Sequence, residues 1–417
     1  MRRLAFLAGL ALAVAAAPPA AAEAFAEAIG RAGATGGTLA LPGGDHGALV
    51  LRNLSPPEGR PLRLTAADPA DPPRFSALLV RGSRNIQLEG LVFDYTYRPG
   101  DAAELRPFRI EGSGNVTLRG LVFDGDLAGE GDDAARGAPT AFGLSIRGVG
   151  GLTLADSTIR GFLRGLVVSQ SRDVTVRGND LWGMRSDGMD YAEVQRVVIE
   201  GNRIRDFAPR HPDSRDHPDM IQFWTARTRA PSQDITIRAN LLSAGTGPWT
   251  QSIFMRNEMV DSGQAGDEMF YRRVTIEDNL IVNAHLHGIT VGATDGLSIP
   301  RNTLVRNPPA QGGRGKHSPL TPRISVAAAA RGVTIVANAA AALPDAEGRP
   351  GWQIARNLIV QDATRTRPNF YATVFAGSDP ADPASFLPRP GGPLDGTGIG
   401  APVARLLRET GPGRAAP

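Results

Sequence analysis

One hydrophobic pattern recurs through the middle of the chain: an apolar–x–apolar run followed by a turn. It begins at Asn85 (NIQLEGLVF), Asn115 (NVTLRGLVF), Gly151 (GLTLADSTI), Asp173 (DVTVRGNDL), Arg196 (RVVIEGNRI), Asp234 (DITIRANLL), Arg273 (RVTIEDNLI), Gly296 (GLSIPRNTL) and Gly332 (GVTIVANAA). The alternation has the period of a strand, and helical periodicity is missing from the repeats. The closest copies are 22 and 23 residues apart and the others 30 to 39, as expected of one unit carrying loop insertions. From the fourth copy onward the seventh position is Asn: Asn179, Asn202, Asn240, Asn279, Asn302 and Asn338. Asn tolerates the left-handed conformation and can hydrogen-bond to like residues above and below, so this column predicts a stacked turn ladder.

A unit of about 22 residues built from short strands cannot bury its apolar face alone; stacking does so. The expected fold is all-β, a single-stranded right-handed parallel β-helix with coils about 4.8 Å apart. A leucine-rich repeat has a similar period, but its Leu pattern and its helix per repeat are missing, and an antiparallel sandwich needs hairpin turns that are not seen. The Ala-rich residues 24–32 predict a capping helix, and residues 36–53 a first coil. Beyond about residue 339 the repeat fades into Pro/Gly-rich sequence, expected to be extended chain over the last coil, since open terminal coils template aggregation. The expected organisation is a signal peptide at 1–22, a capped β-helix at 23–360 and a C-terminal capping segment at 361–417.

After each Asn turn a second strand is expected. Aligning Arg164-Gly-Leu-Val-Val-Ser, Asp187-Gly-Met-Asp-Tyr-Ala, Asp219-Met-Ile-Gln-Phe-Trp, Gln251-Ser-Ile-Phe-Met-Arg and His287-Gly-Ile-Thr-Val-Gly makes the third and fifth columns apolar. Those columns point inward, so the fourth and sixth point out. One outer face therefore collects Asp190, Gln222, Trp224 and Arg256, with Asp187, Asp219, Gln251 and His287 at the strand starts; Tyr191 turns inward. Two long insertions, FAPRHPDSRDHP with His211, Asp213, Asp216 and His217, and NPPAQGGRGKHSPLTP with Lys316 and His317, are expected to wall one side of this strip. Five of the six histidines, all but His46, fall in these loops or at His285 and His287, and loops on a rigid scaffold are where function concentrates.

Composition narrows the class. The 417 residues include 45 basic and 42 acidic ones, a net charge of +3, and 41% are hydrophobic, so a sizeable core is available. Nearly all the basic residues are Arg, and no basic cluster points to nucleic acid. The absence of Cys removes disulfide frameworks, zinc knuckles, Fe–S clusters and thiol nucleophiles. Arg2 and Arg3, the apolar run to Ala17 and the small residues Ala20–Ala22 predict a cleavable secretory signal, a secreted or periplasmic address and no membrane span after cleavage.

Over roughly residues 36–360 the repeat resembles the right-handed parallel β-helix (pectate-lyase-like) superfamily, which is rich in polysaccharide lyases, uronan epimerases and glycoside hydrolases. Gly188-Met189-Asp190-Tyr191-Ala192 resembles the Gly-Phe-Asp-Pro-His stretch of mannuronan C5-epimerases, with Asp190 at the catalytic Asp and the Pro and His absent. Ser186-Asp187-Gly188 and His287-Gly288 are similar to polygalacturonase motifs, without that family's paired Asp. Lys316 and Arg256 match by chemistry the Lys base and Arg of chondroitinase-B-like and alginate lyases. The resemblance implies an acidic, uronate-containing polysaccharide as partner and a lyase or C5-epimerase as the leading activity. A polygalacturonase-type hydrolase and a non-catalytic carbohydrate- or surface-binding module are the alternatives.

Elimination on a uronate needs its carboxylate neutralised, a base for the C5 proton and an acid for the leaving oxygen. Arg256 suits the first task, since a guanidinium grips a carboxylate bidentately. His217 or Lys316 is a candidate base and His287 or Tyr191 a candidate acid, with Asp190 as the catalytic carboxylate. Gln222, Trp224, Asp187, Asp219 and Gln251 are candidate substrate-binding residues. No cofactor is required, although Asp187, Asp190 and Asp219 are a candidate Ca²⁺ set, because hard oxygen ligands suit that ion.

Overall fold

Each repeat copy starts on a residue in the left-handed region: Asn85 (φ 55°), Asp173 (φ 56°), Asp234 (φ 56°) and Gly332 (φ 59°) are examples along the column. That kink feeds an apolar–x–apolar strand such as Arg172–Arg177, whose Val174 and Val176 point inward. In the computed structural model, which describes residues 19–129, 137–210, 216–311, 320–345, 347 and 349–410, these strands form a parallel sheet of 12. A second sheet of 12 two- to four-residue strands and a third of 10 complete the three faces of a right-handed parallel β-helix. Every ladder named between these strands is parallel, and the inward columns stay aligned from coil to coil, as in Val174↔Val197↔Ile235↔Val274, although the register shifts between His287 and Ile289 in the third sheet.

The core is the stack of inward columns. Leu166, Met189, Ile221, Ile253, Ile289 and Ile324 pair in order along the third sheet, and all are buried. Aromatic side chains stack at coil spacing as well: Phe93 on Phe123 at 5.0 Å between ring centroids, and Tyr191 on Phe223 at 4.9 Å.

The Asn ladder is present, but not through left-handed backbone. The left-handed residue is the one before it: Gly178, Gly201, Ala239, Asp278, Arg301 and Ala337. The Asn side chains turn inward and are buried. Asn240 donates from Nδ2 to Asn279 Oδ1 (3.0 Å) and to the Ile199 carbonyl (3.0 Å), while its Oδ1 accepts from the backbone N of Asn202 (3.0 Å). Asn357 extends the ladder beyond Asn338, and Ser157 precedes Asn179. Asn suits this position because its short amide supplies both a donor and an acceptor to the turn backbone and to the next Asn.

A further difference follows from the turn. The strand directly after each Asn is short, as in Asp180–Trp182 and Arg203–Arg205, and builds the second sheet. The strands aligned above as the second of each coil are the third, and the long insertions leave between the second and third sheets. The N-terminal helix spans Pro19–Thr35, with Ile29 and Ala32 buried against the first coil. The chain after Ile359 does more than close the last coil: it runs back along the outside of the second sheet. There Val360, Phe375, Phe386 and Leu394 cover Leu241, Leu280, Val282 and Val305. No helix among the described residues is long and apolar enough to cross a membrane.

Candidate functional site

The third sheet carries the site. Its outward column runs Val167↔Asp190↔Gln222↔Phe254↔Thr290, the register expected from the alternation of apolar positions. Over the middle of this column lies a groove of about 570 Å³ lined by Arg164, His217, Gln222, Trp224, Gln251, Phe254, Arg256 and Glu258. One wall comes from the turn between second and third sheets, which brings in His217. The other comes from the turn leaving the third sheet, where Arg256 is followed by the short helix Glu258–Asp261.

The groove surface is cationic and aromatic. Arg256 Nε lies 3.0 Å from Asp261 and donates to it, and no other partner of the guanidinium is found among the described residues, so its terminal nitrogens are open to the groove. Trp224 is half-buried and rests on the apolar patch of Phe142, Leu163 and Val167, which holds its ring in place. Glu258 is already committed, since its Oε2 accepts from the backbone N (2.8 Å) and hydroxyl (3.2 Å) of Thr225.

Beneath the groove lie three carboxylates with no solvent exposure, those of Asp187, Asp190 and Asp219. Arg164 spans two of them, with Nη1 2.8 Å from Asp190 and Nε 3.2 Å from Asp187. Asp187 also accepts from the backbone N of Asp219 (3.0 Å). Both carboxylate oxygens of Asp219 and Oδ1 of Asp190 have no hydrogen-bond donor among the described residues. Burial, reinforced by Asp187, pushes Asp190 well above the usual carboxylate range against the pull of Arg164. Burial also raises Asp187, against Arg164, and takes Asp219 up to about 7. His217 stands over Asp219, Nδ1 to carboxylate oxygen 3.8 Å, with its ring largely exposed; that carboxylate pushes the imidazole up to about 9.

The expectation that Asp190 faces solvent is therefore corrected. Its column does point outward, but Arg164 from the preceding coil lies across it. Asp187 and Asp219, expected to touch substrate, are likewise under the surface. Gln222, Trp224, Gln251, Arg256 and His217 do line one groove. His287 sits one coil beyond Gln251, its ring 4.9 Å from that of Phe254, with Nδ1 2.8 Å from the Thr290 hydroxyl. Burial, then Arg323, pushes His287 down, so it is neutral near pH 7. Tyr191 is fully buried in the core, which removes it as an acid. His211, Asp213, Lys316 and His317 lie outside the described residues.

Sequence reasoning passed over Arg164 and Glu258. Arg164 occupied the same strand-start column as Asp187 and Asp219, so a cation stacked beside two acids was the available signal. Glu258 carried none, because its position depends on a turn without repeat pattern.

A metal was tested against the donors present. Asp187, His217 and Asp219 place one ligand atom each within 4.8 Å of one another. Asp190, the third member of the expected Ca²⁺ set, turns to Arg164 instead. Ca²⁺ takes six to eight oxygen ligands, whereas this group offers two carboxylates and an imidazole, with a guanidinium already against Asp187. The group does not fit Ca²⁺, and Arg164 fills the charge-neutralising place.

No family model matches the chain, and no curated protein matches it. Among solved structures, the Dettilon tailspike protein is similar with a TM-score of 0.50 and 14% identity, over 82% of this chain and 62% of that one. The chain thus spans less than two thirds of that tailspike. PfbA, a surface adhesin of Streptococcus pneumoniae, aligns with a TM-score of 0.46 and 12% identity over 84% of this chain and 93% of the adhesin. The A-module of an Azotobacter vinelandii mannuronan C-5 epimerase aligns with 0.41 and 13% over 82% and 95%. At such identities the likeness is one of fold: the chain has a right-handed parallel β-helix fold.

Proposed function

We propose that the groove binds an acidic, uronate-containing polysaccharide and acts on it as a lyase or C5-epimerase, and that the protein is exported to meet it. The observation that carries this reading is the lining itself. Three cationic groups, Arg164, His217 and Arg256, stand beside Trp224, Phe254 and two amides, while the carboxylates of Asp187, Asp190 and Asp219 are withdrawn beneath and that of Glu258 is tied to Thr225. Aromatic faces take sugar rings, and guanidinium groups take their carboxylates.

Arg256 neutralises the uronate carboxylate, which makes the C5 proton removable. Two histidines with opposite shifts divide the proton transfers. His287, held neutral, takes the C5 proton; His217, held protonated by Asp219, gives one to the departing oxygen. In elimination the C4–O bond breaks as the C4=C5 double bond forms; in epimerisation a proton returns to C5 from the opposite face. Lys316 is given no role.

Hydrolysis is the second reading, favoured by three clustered carboxylates that burial pushes above the usual carboxylate range. Their complete burial weighs against it, since none reaches a glycosidic oxygen while Arg164 and His217 cover them. A panel of uronate and neutral polysaccharides separates the readings. Ultraviolet absorbance marks the unsaturated lyase product, loss of C5 protons in heavy water marks epimerisation, and reducing ends without absorbance mark hydrolysis. Reducing ends without absorbance would replace the first reading by the second.

A further inference from the structure

The second sheet offers another recognition surface, away from the groove. Its outward positions change character along the axis: Asp180↔Arg203↔Leu241↔Leu280 in one column and Trp182↔Arg205↔Ser243↔Val282 in the next. The apolar end is covered by the C-terminal segment. Where that cover stops, a cleft of about 420 Å³ opens between Arg203, Leu241 and Ser243 on the sheet and Asp379, Pro380 and Pro383 on the segment.

The two arginines of this strand have different fates. Arg205 is consumed: it lies 2.9 Å from Asp180 and 2.6 Å from Asp206, with its guanidinium 5.3 Å from the centre of the Trp182 ring. The side chain of Arg203, half-buried in the cleft, makes no hydrogen bond or ion pair with any described residue. Asp206 and Asp379 also line the cleft, but neither is paired with Arg203: Asp206 lies 2.6 Å from Arg205, and Asp379 Oδ1 accepts from the backbone N of Ala381 (2.9 Å) within its own turn. The Arg203 fork is therefore free to pair with an anionic ligand.

We propose that this cleft is a second, non-catalytic site for a short carboxylate-bearing oligosaccharide. The Arg203 fork takes the planar carboxylate, the hydroxyls of Ser243 and Thr246 take sugar hydroxyls, and Leu241 with the two prolines takes the apolar face of a ring. Its volume is within the range of small-molecule sites and suits one or two rings. The cleft follows from its own geometry; that its ligand is a uronate rests on the reading of the groove. A polysaccharide held at both faces would gain apparent affinity without new contacts in either.

The test is titration calorimetry with digalacturonate and dimannuronate, with cellobiose as the neutral control, on wild type and on Arg203→Gln, Arg203→Lys and Trp224→Ala. The expected result is a site that survives in Trp224→Ala, weakens at least tenfold in Arg203→Gln, is intermediate in Arg203→Lys, and ignores cellobiose. Thermal melts confirm that each variant is folded. Wild-type binding by Arg203→Gln, no acidic dimer bound by Trp224→Ala, or equal binding of cellobiose overturns the proposal. A failed polysaccharide panel alongside Arg203-dependent binding would sink the groove reading and leave the cleft standing.

Discussion

Arg164 Nη1 lies 2.8 Å from a carboxylate oxygen of Asp190 on the next coil, and the two differ completely in exposure: Asp190 has none, while the Arg164 side chain keeps 31%. One guanidinium thus caps a buried acid on one side and forms part of the groove on the other. Removing it leaves two carboxylates in a desolvated pocket, the situation in which breaking a buried pair is most damaging. Arg164→Met should destabilise by about 3 kcal/mol at pH 8 and by less at pH 5, where the acids take up protons. Urea unfolding at the two pH values measures this, and adding Asp190→Leu should recover part of the loss. An equal loss at both pH values would mean that packing, not charge, is what Arg164 supplies.

The buried acids and His217 also make stability pH-dependent in a defined direction. Asp219 rises from 3.8 to about 7 on folding, so its contribution is complete below pH 3.8 and is lost as pH climbs through 7. His217 rises from 6.5 to about 9, so its contribution is complete below 6.5 and is lost through 9. The melting temperature should therefore decline from pH 6 to pH 9, and Asp219→Asn should flatten that decline. A decline of equal slope in the variant would place its origin elsewhere.

The Asn240 side chain makes four hydrogen bonds, two to Asn202 and one each to Ile199 and Asn279. Asn240→Ala should cost about 3 kcal/mol, from stranding the Asn202 amide and the Ile199 carbonyl. Ala239→Gly, one residue earlier at φ 53°, should be near neutral, because Gly relieves the left-handed conformation while losing a buried methyl. Chemical denaturation of both variants distinguishes a hydrogen-bond ladder from a strained turn; the reverse ranking would favour the turn.

On an acidic polysaccharide, Arg256→Ala should lose about 3 kcal/mol of transition-state stabilisation, roughly a hundredfold in kcat. Trp224→Ala should mainly raise KM, since stacking acts on ground and transition states alike. Steady-state kinetics on both variants, with circular dichroism to confirm folding, separates the two effects. Full activity in folded Arg256→Ala would remove the carboxylate-binding role from that residue.

Chelation tests the charge logic directly. Because Arg164 already lies against Asp187 and Asp190, dialysis against a chelator should leave both activity and melting temperature unchanged. A rise in melting temperature of several degrees on adding Ca²⁺ would show that the Asp187, His217 and Asp219 group takes the ion after all.

The sequence by itself determined the coil, its register and the inward and outward columns. A one-residue slip of Met189, Ile221 and Ile253 would expose every core residue of that face, so alternation leaves only one register. The Asn column was equally legible, because the same side chain recurs from Asn179 to Asn338, although its backbone conformation was not: the left-handed residue is the one before it. What only the tertiary structure decided is exposure within the outward column. Asp190 and Gln222 occupy equivalent positions, yet one is sealed and the other lines the groove, because a long Arg side chain from the neighbouring coil falls across the first and not the second. The placing of the C-terminal segment was undecided for the same reason. Periodicity specifies the direction in which a side chain leaves the sheet, and only non-repeating chain packed in three dimensions specifies what covers it there.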